Sequence, residues 1–286
     1  MSEKKDNKKK LLGIVGGIIV FLIAYFTYEH FSYVETDNAQ VEAHSVLISA
    51  KVPGYIKEVH VTDGMQVKKG DVLVQIDDRD YSSLLSATKS EVTSIEARKK
   101  DAEKNYFRIK ELYGKSVVSA QQYDGATAAY NDVKARYDSA LSRVTQAELN
   151  FEYTQLKAPS DGVIARNSAE VGQLANPGAP LVGFVSSDER WIIANFKETE
   201  IADIKIGKSV DIKVDALPDK TYTGEVESIS SATGATFSLL PPDNATGNFT
   251  KVVQRVPVKI KIKNLSLEDK LKLHAGLSAT VKVHIR

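Results

Sequence analysis

The 286-residue sequence contains no cysteine, two methionines and one tryptophan. The missing thiol excludes a disulfide framework, thiolate catalysis and lipid attachment through an N-terminal cysteine. Met1 and Met65 are too few for a site built from soft thioether ligands. Charge of either sign is also lacking in excess: 38 Lys and Arg face 37 Asp and Glu, which gives no electrostatic reason to expect nucleic acid. The five histidines (30, 44, 60, 274 and 284) show no close ligand spacing, so no metal site is expected. No nucleophile constellation and no phosphate-binding glycine loop is present. The expectation is a protein that is not an enzyme and carries no cofactor.

What charge there is clusters at the start. Lys4, Lys5, Lys8, Lys9 and Lys10 precede an uncharged run from Leu11 to Tyr28, LLGIVGGIIVFLIAYFTY. At 1.5 Å rise per residue this run spans about 27 Å, close to the hydrocarbon thickness of a bilayer. Tyr25, Tyr28 and Tyr33 sit where an outer interfacial belt would lie. A cleaved signal peptide is the alternative, but Glu29, His30, Phe31 and Tyr33 offer no small-x-small cleavage site. The reading is a cytoplasmic basic tail (1–10) and an uncleaved transmembrane anchor (11–28), with the rest of the chain outside the cytoplasm.

An internal repeat organises the middle. Residues 50–74, AKVPGYIKEVHVTDGMQVKKGDVLV, align without a gap on residues 158–182, APSDGVIARNSAEVGQLANPGAPLV, at an offset of 108. Ala50, Gly54, Ile56, Gly64, Gly70, Leu73 and Val74 meet Ala158, Gly162, Ile164, Gly172, Gly178, Leu181 and Val182. Each copy reads as short strands broken by glycine turns, and each is too small to enclose a core alone. Two such halves folded together resemble a biotinyl/lipoyl domain, here split into residues 46–78 and 155–187.

Between the copies, residues 79–154 read as a helical hairpin. No proline interrupts Arg79 to Phe151. Leu85, Thr88, Val92, Ile95, Lys99, Ala102, Tyr106, Ile109 and Tyr113 follow steps of three and four, as do Tyr123, Ala126, Tyr130, Val133, Tyr137, Ala140, Val144, Ala147 and Phe151. Lys99 is a polar break in the first seam. Gly114 is expected to take the left-handed position that ends the first helix. Ser119 with Gln122 matches a capping box that opens the second. The short link makes the two helices antiparallel neighbours.

The remainder, residues 29–45 and 188–286, reads as β. Val210–Val214, Val256–Ile262 and Ala279–Ile285 alternate polar and apolar residues, with turn signals at Gly207, Pro218-Asp219, Gly224 and Gly276. A small antiparallel barrel is the natural closed solution. Thr233 to Thr250 is too irregular for strands and reads as a long loop. Trp191 reads as a barrel or domain-interface anchor rather than a substrate platform. The fold class is thus α+β, elongated and multi-domain.

This order of parts resembles the membrane fusion protein family, the HlyD-like periplasmic adaptors, over essentially the whole chain. Several stretches resemble the EmrA-like multidrug export subfamily. They are Glu35–Val41 (ETDNAQV), Trp191–Glu200 (WIIANFKETE), and Gly234–Leu240 with Asn244–Phe249 and Lys251–Pro257. The resemblance implies an adaptor, anchored in the bacterial inner membrane, that links a major-facilitator drug/proton antiporter to a TolC-type outer-membrane channel. It implies a ring of copies, with a hexamer favoured over a trimer. Arg108, Leu112 and Ser119 fit the spacing R-x3-L-x6-S, which resembles the tip motif by which such adaptors meet the channel. The hairpin is short for the EmrA-like group.

Three other readings compete. A biotin or lipoyl carrier would place its modified lysine at the junction that the helical insertion occupies, and the usual lysine contexts are missing. A structural envelope coiled-coil protein would need no transporter. An ABC-type secretion adaptor would keep the architecture and change the motor.

Overall fold

The computed structural model describes residues 32–233 and 253–285. The basic tail, the apolar run at 11–28 and nearly all of the segment from Thr233 to Thr250 lie outside them. No helix among the described residues is long and apolar enough to cross a membrane. The chain divides into two compact units, one formed by residues up to His44 together with those from Ser186 onward, the other by Ser45–Val185.

The second unit is built on the repeat. Its first half supplies β2 (Ser45–Ser49), β3 (Gly54–Val59), β4 (Gln66–Val67) and β5 (Val72–Ile76). Its second half supplies β6 (Gln155–Lys157), β7 (Gly162–Asn167), β8 (Leu174–Ala175) and β9 (Pro180–Ser186). One sheet runs β2-β9-β7-β4 and the other β6-β5-β3-β8. The repeat offset carries the first order into the second strand by strand, so each sheet draws two strands from each half. Neither half can complete a sheet without the other.

Reciprocal hydrogen bonds lock this exchange. Gly64 N donates to Ile164 O at 2.7 Å and Gly172 N to Ile56 O at 2.9 Å. Gly70 N donates to Ala158 O at 2.9 Å and Gly178 N to Ala50 O at 3.0 Å. All four glycines hold positive φ, between 79° and 90°, a conformation that costs an L-residue about 1–2 kcal/mol. The core repeats the same pairs: Ile56 with Ile164, Leu73 with Leu181, Val74 with Val182, and Ile76 with Phe184, all buried. Gly54 and Gly162 complete the pattern, because a Cβ at either would collide with Ile76 or with the Phe184 ring.

The insertion leaves from β5 and returns at β6, which pair antiparallel. The roots of helices α1 (Arg79–Gly114) and α2 (Ala120–Glu152) are therefore held side by side. Tyr81 Oη donates to Pro53 O at 2.7 Å, and Tyr81 and Tyr153 pack against the β core. Thr154 is fully buried; its hydroxyl donates to Phe151 O at 2.7 Å, and its carbonyl accepts from Ile76 N at 2.8 Å.

The first unit is a closed antiparallel barrel of β1 (Tyr33–Glu42), β10 (Trp191–Lys197), β11 (Ser209–Val214), β12 (Thr221–Ile229), β13 (Arg255–Ile262) and β14 (Ser278–His284). The strand order is β1-β10-β13-β12-β11-β14, and β14 pairs back to β1. Alternation sends Ile192, Ala194, Phe196, Ile212, Ile260 and Val281 inward, all at or near zero exposure, while lysines and glutamates face out. A bulge in β1 between Thr36 and Ala39 is tied to two other strands by polar groups. Thr36 Oγ1 and Arg255 Nη1 each donate to Asn195 O at 3.1 Å. Asn195 Nδ2 donates to Asn38 Oδ1 at 3.1 Å.

A short helix, α3 (Leu267–Lys272), is pinned to the barrel by one carboxylate. Asp269 accepts from Lys220 Nζ at 2.5 Å, Ser266 Oγ at 2.7 Å and Tyr222 Oη at 3.3 Å. Leu273, just after the helix, is buried in the barrel core. The Lys220 hydrogen bond first, then that of Ser266, holds the Asp269 carboxyl at about 2, down from 3.8. Because the folded-state value is depressed, the stabilisation is complete above the unfolded value and is lost as pH falls toward 2. The urea midpoint of the wild type should exceed that of Asp269→Asn at neutral pH, and the gap should close between about pH 4 and 2. A gap that stays constant through this window would exclude the carboxylate as its source.

Candidate functional site: the end of the helical hairpin

At 1.5 Å rise per residue, the 36-residue α1 and the 33-residue α2 are each about 50 Å long. Two helices enclose little: no residue of α1 is fully buried, and in α2 only Ala140 and Ala147 are. Aromatic and cationic contacts supplement the seam. Tyr113 stacks on Tyr123 with centroids 4.9 Å apart, and Tyr106 on Tyr130 at 5.4 Å. Lys99, the polar break, lies over the Tyr137 ring at 4.3 Å, a cation–π contact that lets an ammonium occupy a seam position. Lys89–Glu148 and Arg143–Glu91, each at 2.9 Å, tie the helices along their edges.

The turn departs from the sequence expectation. Gly114 does not take the left-handed conformation; helix α1 runs through it, and Ser116 adopts φ 57° instead. Ser116 N donates to Tyr113 O at 2.9 Å and Val117 N to Leu112 O at 3.0 Å. This is the Schellman pattern with its left-handed residue two positions later than the glycine. Those two bonds satisfy the Leu112 and Tyr113 carbonyls near the end of the helix.

Ser119 is the N-cap of α2. Its Oγ accepts from Gln122 N at 3.3 Å, and Gln122 Oε1 accepts from Ser119 N at 3.0 Å. Arg108 is exposed, and among the described residues its guanidinium has no hydrogen bond or ion pair. Leu112, one turn on, is half-buried. The fold thus brings Arg108, Leu112 and Ser119 to the same end of the hairpin without a hydrogen bond linking their side chains. Sequence reasoning did not single out the apolar surface beside them: Phe107, Tyr113 and Val117 are 56%, 42% and 67% exposed. The sevenfold spacing of Tyr106 and Tyr113, and of Tyr123, Tyr130 and Tyr137, was the available signal for the ring stack.

Comparison with known proteins supplies the family. Residues 44–185 match the model for the RND MFP barrel-sandwich hybrid domain, and residues 191–283 match that for a YknX-like beta-barrel domain. The colistin resistance protein EmrA of Acinetobacter baumannii is 31% identical over 97% of this chain and 95% of its own length. The chain belongs to the EmrA-like membrane fusion proteins. The putative efflux system component YhbJ of Bacillus subtilis is 32% identical over 98% of this chain and 96% of its own. Among solved structures, a MacA–MexA chimera carrying the Pseudomonas aeruginosa MexA alpha-hairpin domain shares the fold. Its TM-score is 0.63 at 24% identity, over 89% of this chain and 81% of that one. The family is one of periplasmic, membrane-anchored adaptors without catalytic activity of their own. Alignment with the A. baumannii protein spans 336 positions, that with YhbJ only 287; the first relative carries segments that have no counterpart here.

The turn assignment is testable in isolation from function. Ser116→Gly removes the left-handed penalty and should raise stability by about 1 kcal/mol. Gly114→Ala should be neutral or stabilising, since that position is helical. Thermal unfolding followed by circular dichroism at the helix band checks both; a destabilised Gly114→Ala would restore Gly114 as the left-handed residue.

Proposed function

We propose that the chain is a membrane-anchored periplasmic adaptor that links an inner-membrane major-facilitator drug/proton antiporter to a TolC-type outer-membrane channel, for export of drugs or other toxic compounds. The observation that carries the docking part of this reading is the unpaired Arg108 guanidinium with Leu112 one turn beyond it, at the end of a hairpin in an EmrA-like chain. Arg108 would donate to carboxylates or carbonyls of the channel and Leu112 would pack beside it. Ser119 would present what its capping role leaves free. Copies would assemble as a ring, because a single hairpin cannot seal a conduit. The anchor would be the apolar run at 11–28, N-terminus inward.

Relatives' names point the same way. One relative is a multidrug export protein of Haemophilus influenzae, another a fatty acid resistance protein of Neisseria gonorrhoeae.

Drug resistance, channel crosslinking and a reporter fusion test the proposal. In cells with the native partners, Arg108→Ala and Leu112→Ala should each lower drug resistance to that of a deletion strain, while membrane level and thermal stability stay at wild-type values. Ser119→Asp keeps a capping side chain and changes only the charge at the turn. Full resistance with undiminished channel crosslinking in both alanine variants would remove the docking assignment. Resistance that survives loss of every TolC-type channel would remove the channel itself. For orientation, alkaline phosphatase fused after Arg286 should be active outside the cytoplasm; an inactive fusion at normal abundance would overturn it.

A further inference from the structure

The barrel unit contains a buried cation that, among the described residues, no carboxylate pairs directly. Arg190 is 6% exposed. Its Nε donates to Leu273 O at 2.9 Å, and its Nη1 donates to Ser186 O at 2.5 Å and Glu189 O at 2.9 Å. These carbonyls satisfy hydrogen bonds but do not neutralise the charge. No carboxylate forms an ion pair with Arg190 among the described residues. Burial pushes its pKa down, and Asp188 opposes that from a distance; an arginine nevertheless stays charged. Among the described residues Nη2 makes no hydrogen bond, and it is not sealed from solvent.

Arg190 lines a cavity of about 260 Å³. Lys261 and Lys270 line it as well, and neither is in an ion pair among the described residues; Lys270 Nζ donates to the Asp188 carbonyl at 2.7 Å. Lys259, over the Trp191 ring at 5.1 Å, is already paired with Glu227 at 3.0 Å. Two other carboxylates, Asp188 and Glu189, share the lining. Asp188 is engaged by the Ser186 hydroxyl at 2.9 Å. Trp191, Ile262 and Leu265 give the cavity an apolar side.

We infer that this cavity binds a small organic carboxylate, its charged end on Arg190 Nη2 with Lys261 and Lys270 and its hydrocarbon against the apolar side. An anion there would give the guanidinium the direct, hydrogen-bonded ion pair that Asp188, acting only from a distance, does not provide. The volume lies below the ~300–1,000 Å³ of drug-sized pockets, which sets the ligand class as small. This site belongs to the barrel and is independent of the docking reading. Arg108→Ala should therefore leave it intact, and loss of binding here leaves the hairpin assignment untouched.

Trp191 is the only tryptophan in the chain, so its emission reports this cavity directly. The full chain in detergent would be titrated at constant ionic strength with hexanoate, with hexylammonium and with inorganic phosphate, and binding heats recorded in parallel. Hexanoate should give a saturable change with half-saturation at about 1 mM or below. Hexylammonium should give none. Lys261→Glu, at an exposed position, should weaken hexanoate binding at least tenfold, and Arg190→Met should abolish it where the variant folds. Phosphate competing with hexanoate would place the anion at the cations. The inference is overturned if hexanoate produces neither an emission change nor heat, if hexylammonium binds equally, or if Lys261→Glu binds as the wild type does.

Discussion

The structure depends on an exchange of strands between two segments that are far apart in sequence. A half repeat of about 25 residues buries too little to stand alone, so each half finishes the other's sheet. The reciprocal pair of Gly64 N to Ile164 O and Gly172 N to Ile56 O shows the exchange at atomic scale. It fixes where the chain can be interrupted. β5 and β6 must stay paired, so whatever is inserted between them starts and ends at neighbouring strand ends. An antiparallel helical hairpin is the insertion that this constraint accepts with least loop entropy. Without the exchange, the two helix roots would be held in register only by contacts between the helices themselves, such as Lys89–Glu148.

The hairpin itself is poor in burial. Its stability cannot come from a core, since α1 has no fully buried side chain. It comes from many modest terms: stacked tyrosines at about 0.5–1.5 kcal/mol each beyond their area, the Lys99–Tyr137 cation–π contact, edge ion pairs worth well under 1 kcal/mol each, and the caps at both sides of the turn. An assembly of small terms leaves the outer faces uncommitted. Leu84, Phe107, Leu141 and Leu149 remain between 38% and 56% exposed, a composition suited to further helices alongside. The root differs. There Tyr81, Tyr153 and Thr154 bond or pack into the β core.

Much of this was legible in the residues because it is periodic. The offset that aligns Gly64 with Gly172 also aligns strands, core residues and turn conformations, since a repeated sequence in a repeated environment has one solution. The three-four spacing named the helices, and Ser119 with Gln122 named a cap that the geometry shows. The failures are local or long-range. Gly114 is the residue best suited to a left-handed position, yet it stays helical and the closing bonds form around Ser116, two residues later. The tie between Asp269 and Lys220 joins residues 49 apart, and that of Arg190 to Leu273 joins residues 83 apart. Neither has a spacing that sequence could display. The stretches Glu35–Val41, Trp191–Glu200 and Lys251–Pro257 carried the family resemblance with no physical reason attached. The barrel supplies one: Thr36, Asn38, Asn195 and Arg255 bond to one another across three strands at a bulge.

The same accounting weighs the residues at the hairpin end unequally. Ser119 spends its hydroxyl and its backbone N–H on Gln122, so its presence is explained by the cap, and a partner could engage it only through remaining lone-pair capacity. Lys115 is held by Glu111 at 2.5 Å. Among the described residues Arg108 has neither kind of tie, and keeping an exposed arginine unpaired contributes nothing to the hairpin. Its value would arise when a partner excludes water, because a guanidinium hydrogen bond strengthens in a drier setting while its planar fork is already organised. Val117 and Phe107, exposed close by, provide apolar surface that could exclude that water. On the proposed docking, recognition at this end would rest on Arg108 with its apolar surroundings, while Ser119 holds the second helix in place.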